Sequence, residues 1–170
     1  AYSEVWLPEG SPLIVTSQQQ ADVLQKQLDD IPVELAMRYQ NPSIEDAVDR
    51  LLAEGIEQIV ILPLFPHYAM SSYESALVKA EKVMAKKAPQ VEIEVVPPFY
   101  DDVEFIDSMV ASSSDYLSEG YDHILFSFHG LPERHLRKSD PTGERCLSCE
   151  NCCEGDHPAH KTCYRAQCYK

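Results

Sequence analysis

Short apolar segments of strand length alternate along this chain with longer stretches whose apolar residues recur every three or four positions. The strand-like segments are residues 33–39, 58–64, 91–96 and 124–128. Between them the pattern predicts helices. The first runs from Thr16 or Ser17 to about Asp30 and is ended by Pro32, after a looped opening over 1–15 punctuated by Pro8, Gly10 and Pro12. In the second, Asn41 reads as the cap and Pro42 as the first helical residue. Ile44, Ala47, Val48, Leu51 and Leu52 make one apolar face, and Gly55 ends the helix. A third starts at Ser71 or Ser72 and reaches about Lys87, and a fourth covers about Asp102 to Leu117. Past Leu131 the periodicity fades into a loop.

Strands and helices alternating at this spacing imply right-handed β-α-β crossovers. The expected fold is therefore α/β, a Rossmann-like or flavodoxin-like parallel sheet with helices on both faces. Such sheets place ligands beyond the carboxyl ends of their strands. The residues there are Met37-Arg38-Tyr39, Phe65-Pro66-His67-Tyr68, Pro97-Pro98-Phe99-Tyr100 and His129-Gly130. This rim of aromatics, two histidines and an arginine suits a flat, apolar, metal-related ligand. No Gly-x-Gly-x-x-Gly follows a strand, and neither a phosphate loop nor a Gly-x-Ser-x-Gly elbow occurs, which argues against dinucleotide and esterase chemistry. His129 ends a buried-looking segment, so it reads as a metal ligand, a proton carrier or the cap of a turn.

Composition narrows the partners. At 170 residues the chain is one domain, or one and a piece of another, and both ends read as cut from a longer protein. A formal charge of -14 excludes nucleic acid, which needs clustered Lys and Arg. No apolar run approaches the ~20 residues that span a bilayer, no signal peptide opens the chain and no basic amphipathic helix appears. Asp101, Asp102 and Glu104 read as favouring a helix N-terminus, and His123 and His135 as structural or solvated. All six cysteines lie in 146–168 as C-x2-C-x2-C-C-x9-C-x4-C. That crowding points to a metal site in a reducing compartment, and thiolates suit either an iron–sulfur cluster or zinc.

The segments EGSPL (9–13), AMRYQNPSIEDAV (36–48), LPLFPHYAMSS (62–72), FSFHGLP (126–132) and SDP (139–141) together resemble ferrochelatases, which insert ferrous iron into a porphyrin. The resemblance spans nearly the whole chain. It implies that 1–122 form most of a first Rossmann-like domain and 123–170 the start of a second, with the cysteine-rich metal loop 146–168. An earlier strand with a Gly-rich turn and a later acidic partner of His129 would lie outside this chain, leaving it inactive alone. It implies that His129 contacts Fe²⁺ or accepts pyrrole protons, that Ser11 and Tyr100 line the porphyrin pocket, and that His67 flanks it where many relatives carry glutamine. Gly130 would let the backbone turn closely under a ligand.

Some ferrochelatases carry a [2Fe–2S] cluster, and the cysteines follow Ser-Asp-Pro as in bacterial members with an internal cluster loop. The expected ligands are Cys146, Cys153, Cys163 and Cys168, with Cys149 or Cys152 as substitutes. Cys152 and Cys153 are expected to diverge too far to share one iron. Zinc with His157 or His160, and disulfides, stay open as alternatives. The partners implied are ferrous iron and a porphyrin (protoporphyrin IX or coproporphyrin III), in the cytoplasm, with membrane association peripheral at most. A chelatase loading cobalt or nickel into another tetrapyrrole, and a non-enzymatic metal-binding sensor, are the rival functions.

Overall fold

Strands β1 (Gln58–Ile61) and β2 (Glu92–Val95) pair directly in the computed structural model, which describes residues 4–170. The Glu92 N–H donates to the Glu57 carbonyl at 3.0 Å and the Val96 N–H to Ile61 at 2.9 Å, the same offset at both ends, so the strands run parallel. The chain falls into two compact units, Ala1–Ile59 with Lys79–Glu94, and Val60–Val78 with Val95–Lys170. The protein is α/β with a small parallel sheet and helices, as expected.

In the first unit, α1 (Pro12–Leu28) begins earlier than its apolar pattern predicts. Proline lacks only an N–H that a first helical turn leaves unpaired, so Ser11-Pro12 starts the helix and Thr16 and Ser17 lie inside it. It ends at Asp29, in the left-handed region at φ 43°, where Gln25 ties the turn. The Gln25 amide donates to the carbonyls of Asp29 and Ile31 and accepts the Val33 N–H at 2.7 Å. Residues 33–39 consequently form no strand. The Val33 N–H is spent on Gln25 and the Met37 N–H on the Pro42 carbonyl at 2.8 Å, leaving one isolated bridge, Met37 to Ser43.

Helix α2 (Ile44–Ala53) is capped by Ser43, not Asn41. The Ser43 Oγ accepts the Asp46 N–H at 3.0 Å, and the Asn41–Pro42 peptide before it is cis. Ile44, Ala47 and Val48 are buried as the pattern requires, and Gly55 closes the helix at φ 77° with its N–H on the Leu52 carbonyl. Ala80, Val83 and Met84 of α3 (Ser75–Lys87) are the other main buried apolar residues of this unit. Lys79–Glu45 and Lys87–Asp49 pair α3 with α2 at the surface, where solvent screens them and the apolar face carries the packing.

In the second unit a π-helical turn (Met70–Glu74) leads into α3, and Asp102 caps α4 (Val103–Leu117) by accepting the Phe105 N–H at 3.0 Å. That capping is the role expected of the acidic residues there. The expected strand over 124–128 is extended but unpaired, with Leu125 92% exposed. Apolar alternation supplies a strand's faces, whereas the ladder needs a neighbour, and the described residues provide none. The expected loop beyond Leu131 is instead a folded lobe of α5 (Glu133–Ser139), a 3₁₀ turn (Pro158–Thr162) and α6 (Tyr164–Cys168). These pieces are too short to show helical periodicity. Among the described residues no helix is long and apolar enough to cross a membrane.

Met84 is 1% exposed, so Met84→Ala leaves a cavity that the surrounding helices fill only in part. A loss of about 2–5 kcal/mol is expected, read as a lowered midpoint in denaturant unfolding.

Candidate functional site

Within the second unit the segments that follow β1 and β2 meet at the ring of His67. It stacks on Tyr100 (centroids 5.8 Å apart, planes at 21°) and takes the edges of Phe128 at 5.9 Å and Tyr164 at 5.5 Å. Burial holds the His67 imidazole below its ordinary pKa, which keeps it neutral at pH 7. Burial also raises the Tyr100 phenol, helped by the charge of Asp101, and pushes Tyr68 up to about 12 with Glu74 assisting. These hydroxyls stay protonated and serve as neutral hydrogen-bonding groups.

His129 stands at the end of the exposed segment. Its backbone N–H donates to the Tyr164 hydroxyl at 3.2 Å, while its imidazole is exposed and has no hydrogen-bond partner among the described residues. It does not cap the next helix, whose N-cap is Pro132. Gly130 is not required by the fold: its φ lies outside the left-handed region and a Cβ would meet nothing within 4 Å. Tyr100, His67 and the backbone of His129 are thus brought together through Tyr164. Ser11 and Arg38 belong to the other unit. Ser11 occupies the N-cap of α1, but its side chain makes no cap hydrogen bond, so the hydroxyl is not consumed there. Arg38 lies 4.5 Å over the Tyr39 ring.

The cysteine lobe is built around Asp140. This buried carboxylate accepts the N–H groups of Thr142, Arg145 and Cys146, each at 2.8 Å, and the Thr142 hydroxyl at 2.7 Å. Arg145 in turn donates to the carbonyls of Cys152 and Glu154, closing the loop. His160 Nε2 lies 2.9 Å from the Cys152 carbonyl. Leu136, Cys146, Ala159, Cys163 and Ala166 form the lobe's core.

All six cysteines are free thiols. Burial pushes Cys146 up to about 12, reinforced by Cys163, Asp140 and Cys152, and pushes Cys153 up to about 11, reinforced by Cys152 and Cys163. Cys168 is raised by burial, with the Tyr164 hydroxyl opposing and Cys163 adding to it. Cys163 therefore sits electrostatically among Cys146, Cys153 and Cys168, whereas Cys149 is exposed, with Ser148 Oγ 3.9 Å from its sulfur. The sulfurs of Cys152 and Cys153 are 3.9 Å apart, so the expected divergence of these neighbours does not occur. Among the described residues no three His, Cys, Asp or Glu side chains stand in ready metal-ligand geometry. The donor chemistry nevertheless fits a thiolate-bound group: several soft donors share one lobe, and the repulsion that keeps them from ionising together is what a positive centre among them would relieve.

Tyr164, Gln167, Asp140 and Arg145 were not among the residues the sequence singled out for function. The one signal for them is spacing. Tyr164 and Cys168 stand four residues apart, which on a helix puts hydroxyl and thiol on one face.

A family model described as Ferrochelatase matches residues 1–170. The chain is similar to the ferrochelatase of Stutzerimonas stutzeri (strain A1501), 45% identical over 171 residues, covering 100% of this chain and 50% of that one. It is likewise 45% identical to the ferrochelatase of Pseudomonas fluorescens (strain SBW25) over 99% of its length and 50% of the relative. Against that of Opitutus terrae (strain DSM 11246 / JCM 15787 / PB90-1) it is 42% identical, over 99% and 49%. The chain spans about half the length of the curated relatives it matches.

Asp140 supplies a pH test. Burial opposes its ionisation, but the hydrogen bonds from Cys146, Thr142 and Arg145 outweigh this and hold its pKa well below the usual carboxylate range. Its contribution is therefore fully present above about pH 4, the unfolded value, and is lost as pH falls through the depressed folded value. Asp140→Asn should lower stability by about 1.5–3 kcal/mol at pH 7. In thermal unfolding as a function of pH, the difference from the parent should shrink steadily on acidification.

Proposed function

The chain belongs to the ferrochelatase family, and on that premise we propose that the complete protein inserts ferrous iron into a porphyrin, with His129 at the reacting nitrogens. Metallation removes two pyrrole protons and strips water from Fe²⁺. A neutral imidazole suits both tasks, since it accepts a proton near neutral pH and is a good ligand for Fe²⁺. The observation that carries this reading is the exposed, unpartnered His129 ring, adjoining in sequence a rim of stacked aromatics.

In this reading Tyr100 and His67 line or flank the macrocycle, and neutral His67 holds the rim through ring contacts without taking the proton. Ser11, whose side chain makes no cap hydrogen bond, would contribute a porphyrin contact from the first unit. Residues 1–122 supply most of a first Rossmann-like domain and 123–170 the opening of a second. The substrate is protoporphyrin IX or coproporphyrin III. The thiols being free fits a cytoplasmic protein, whose contact with membranes is at most peripheral.

Cys146, Cys153, Cys163 and Cys168 would hold a [2Fe–2S] cluster, with Cys152 as the substitute. Cys149 is left out because it is exposed. Such a cluster supplies thiolate–iron bonds that order the lobe, and metal insertion itself involves no net redox change. Zinc with His160 is the competing set, because the Cys152 carbonyl holds His160 Nε2 at 2.9 Å while the buried Nδ1 has no hydrogen-bond partner among the described residues.

In the full-length protein, His129→Ala should lower kcat at least ~100-fold while porphyrin binding, followed by absorption titration, stays within a few-fold. Near-parental turnover would refute the role of His129. Cys163→Ser should lose bound iron, acid-labile sulfide and visible absorption, while Cys149→Ser keeps all three. Equal retention by both variants would remove the cluster assignment.

A further inference from the structure

Helix α6 is five residues long, capped by Cys163 and ending at Cys168, yet two of its side chains leave the cysteine lobe to hold the rim. Gln167 is 2% exposed. Its Oε1 accepts the Tyr68 N–H at 2.7 Å, and its Nε2 donates to the carbonyls of Lys161 at 2.9 Å and His160 at 3.3 Å. One carboxamide thus ties the peptide after His67 to the backbone of the lobe. Tyr164 does the same for the other strand-end segment. Its hydroxyl accepts the His129 N–H, and its ring meets the edge of His67.

Residues 122–131 have no ladder to hold them. Among the described residues, the bond from His129 N–H to Tyr164 is the one hydrogen bond this segment makes. Apart from the Phe128 edge on His67, the backbone at His129 is therefore held by a hydroxyl belonging to the cysteine lobe. We infer that Tyr164 and Gln167 are positioning residues, through which the lobe fixes His129 and the His67–Tyr68 peptide at the rim. This rests on the reading of His129 as the catalytic histidine. It gives the lobe a mechanical role in the reaction, with no electron moving between lobe and rim.

The test is Tyr164→Phe in the full-length protein, which keeps the ring against His67 and removes only the hydroxyl. Losing one neutral hydrogen bond that holds a reacting group should lower kcat about 3- to 10-fold. KM for porphyrin and for Fe²⁺ should stay within about 2-fold, and the thermal midpoint near that of the parent. Tyr164→Leu, which also removes the ring, should lower kcat further. A purely structural tyrosine would instead lower the folded fraction and leave turnover per folded molecule unchanged, and that result overturns the inference. So does a Tyr164→Phe kcat within 2-fold of the parent, or a loss confined to KM. His129→Ala, assayed alongside, separates the two readings. If it is inactive while Tyr164→Phe is parental, the positioning role alone has failed; if it turns over normally, the catalytic assignment has failed and the inference with it.

Discussion

Beyond the last rung of a parallel ladder no backbone hydrogen bond holds neighbouring segments together, and in this protein the His67 ring takes over. Stacked on Tyr100 and edged by Phe128 and Tyr164, it joins the segments after β1 and β2, the apolar stretch before His129 and α6. Ring contacts of this kind are individually worth only ~0.5–1.5 kcal/mol beyond burial. Their value is geometric: they fix where the strand ends stand relative to one another, and a neutral, half-buried imidazole can do this without carrying an uncompensated charge.

The cysteine lobe solves a different problem. Buried thiols that crowd together resist ionisation, as the raised values of Cys146 and Cys153 indicate. The lobe's buried carboxylate, Asp140, is consumed by backbone donors at the loop's start, and Arg145 is consumed by carbonyls at its end. With both spent on the loop's own backbone, the thiols and the buried His160 Nδ1 are left as uncommitted donors among the described residues. The short helix α6 then connects this lobe to the rim, because Tyr164 and Gln167 lie within one turn of the cysteines that cap and end it.

Much of the helical framework was legible in the residues. The face of Ile44, Ala47 and Val48 is buried as its spacing demands, Asp102 caps α4, and Gly55 closes α2. Misreadings cluster where a side chain competes for a backbone group. Gln25 takes the N–H that would have opened a strand at Val33, and Ser43 takes the cap that Asn41 was expected to supply. At the candidate site, His129, His67 and Tyr100 could be named in advance, since strand ends of a parallel fold collect function. Tyr164 and Gln167 could not be, because nothing local distinguishes a tyrosine or glutamine that reaches a distant segment from one that faces water.

The sequence by itself determined the helix faces, the two strands that pair and the clustering of thiols. These follow from periodicities and residue chemistry that act over a few neighbouring positions. Only the tertiary structure decided which backbone groups were free to pair, that the sulfurs of Cys152 and Cys153 approach while Cys149 is exposed, and that the His129 N–H is held from α6. The first turns on side chains three to eight positions away that outcompete the expected backbone partner, and the last on a contact 35 positions apart, which no local pattern encodes.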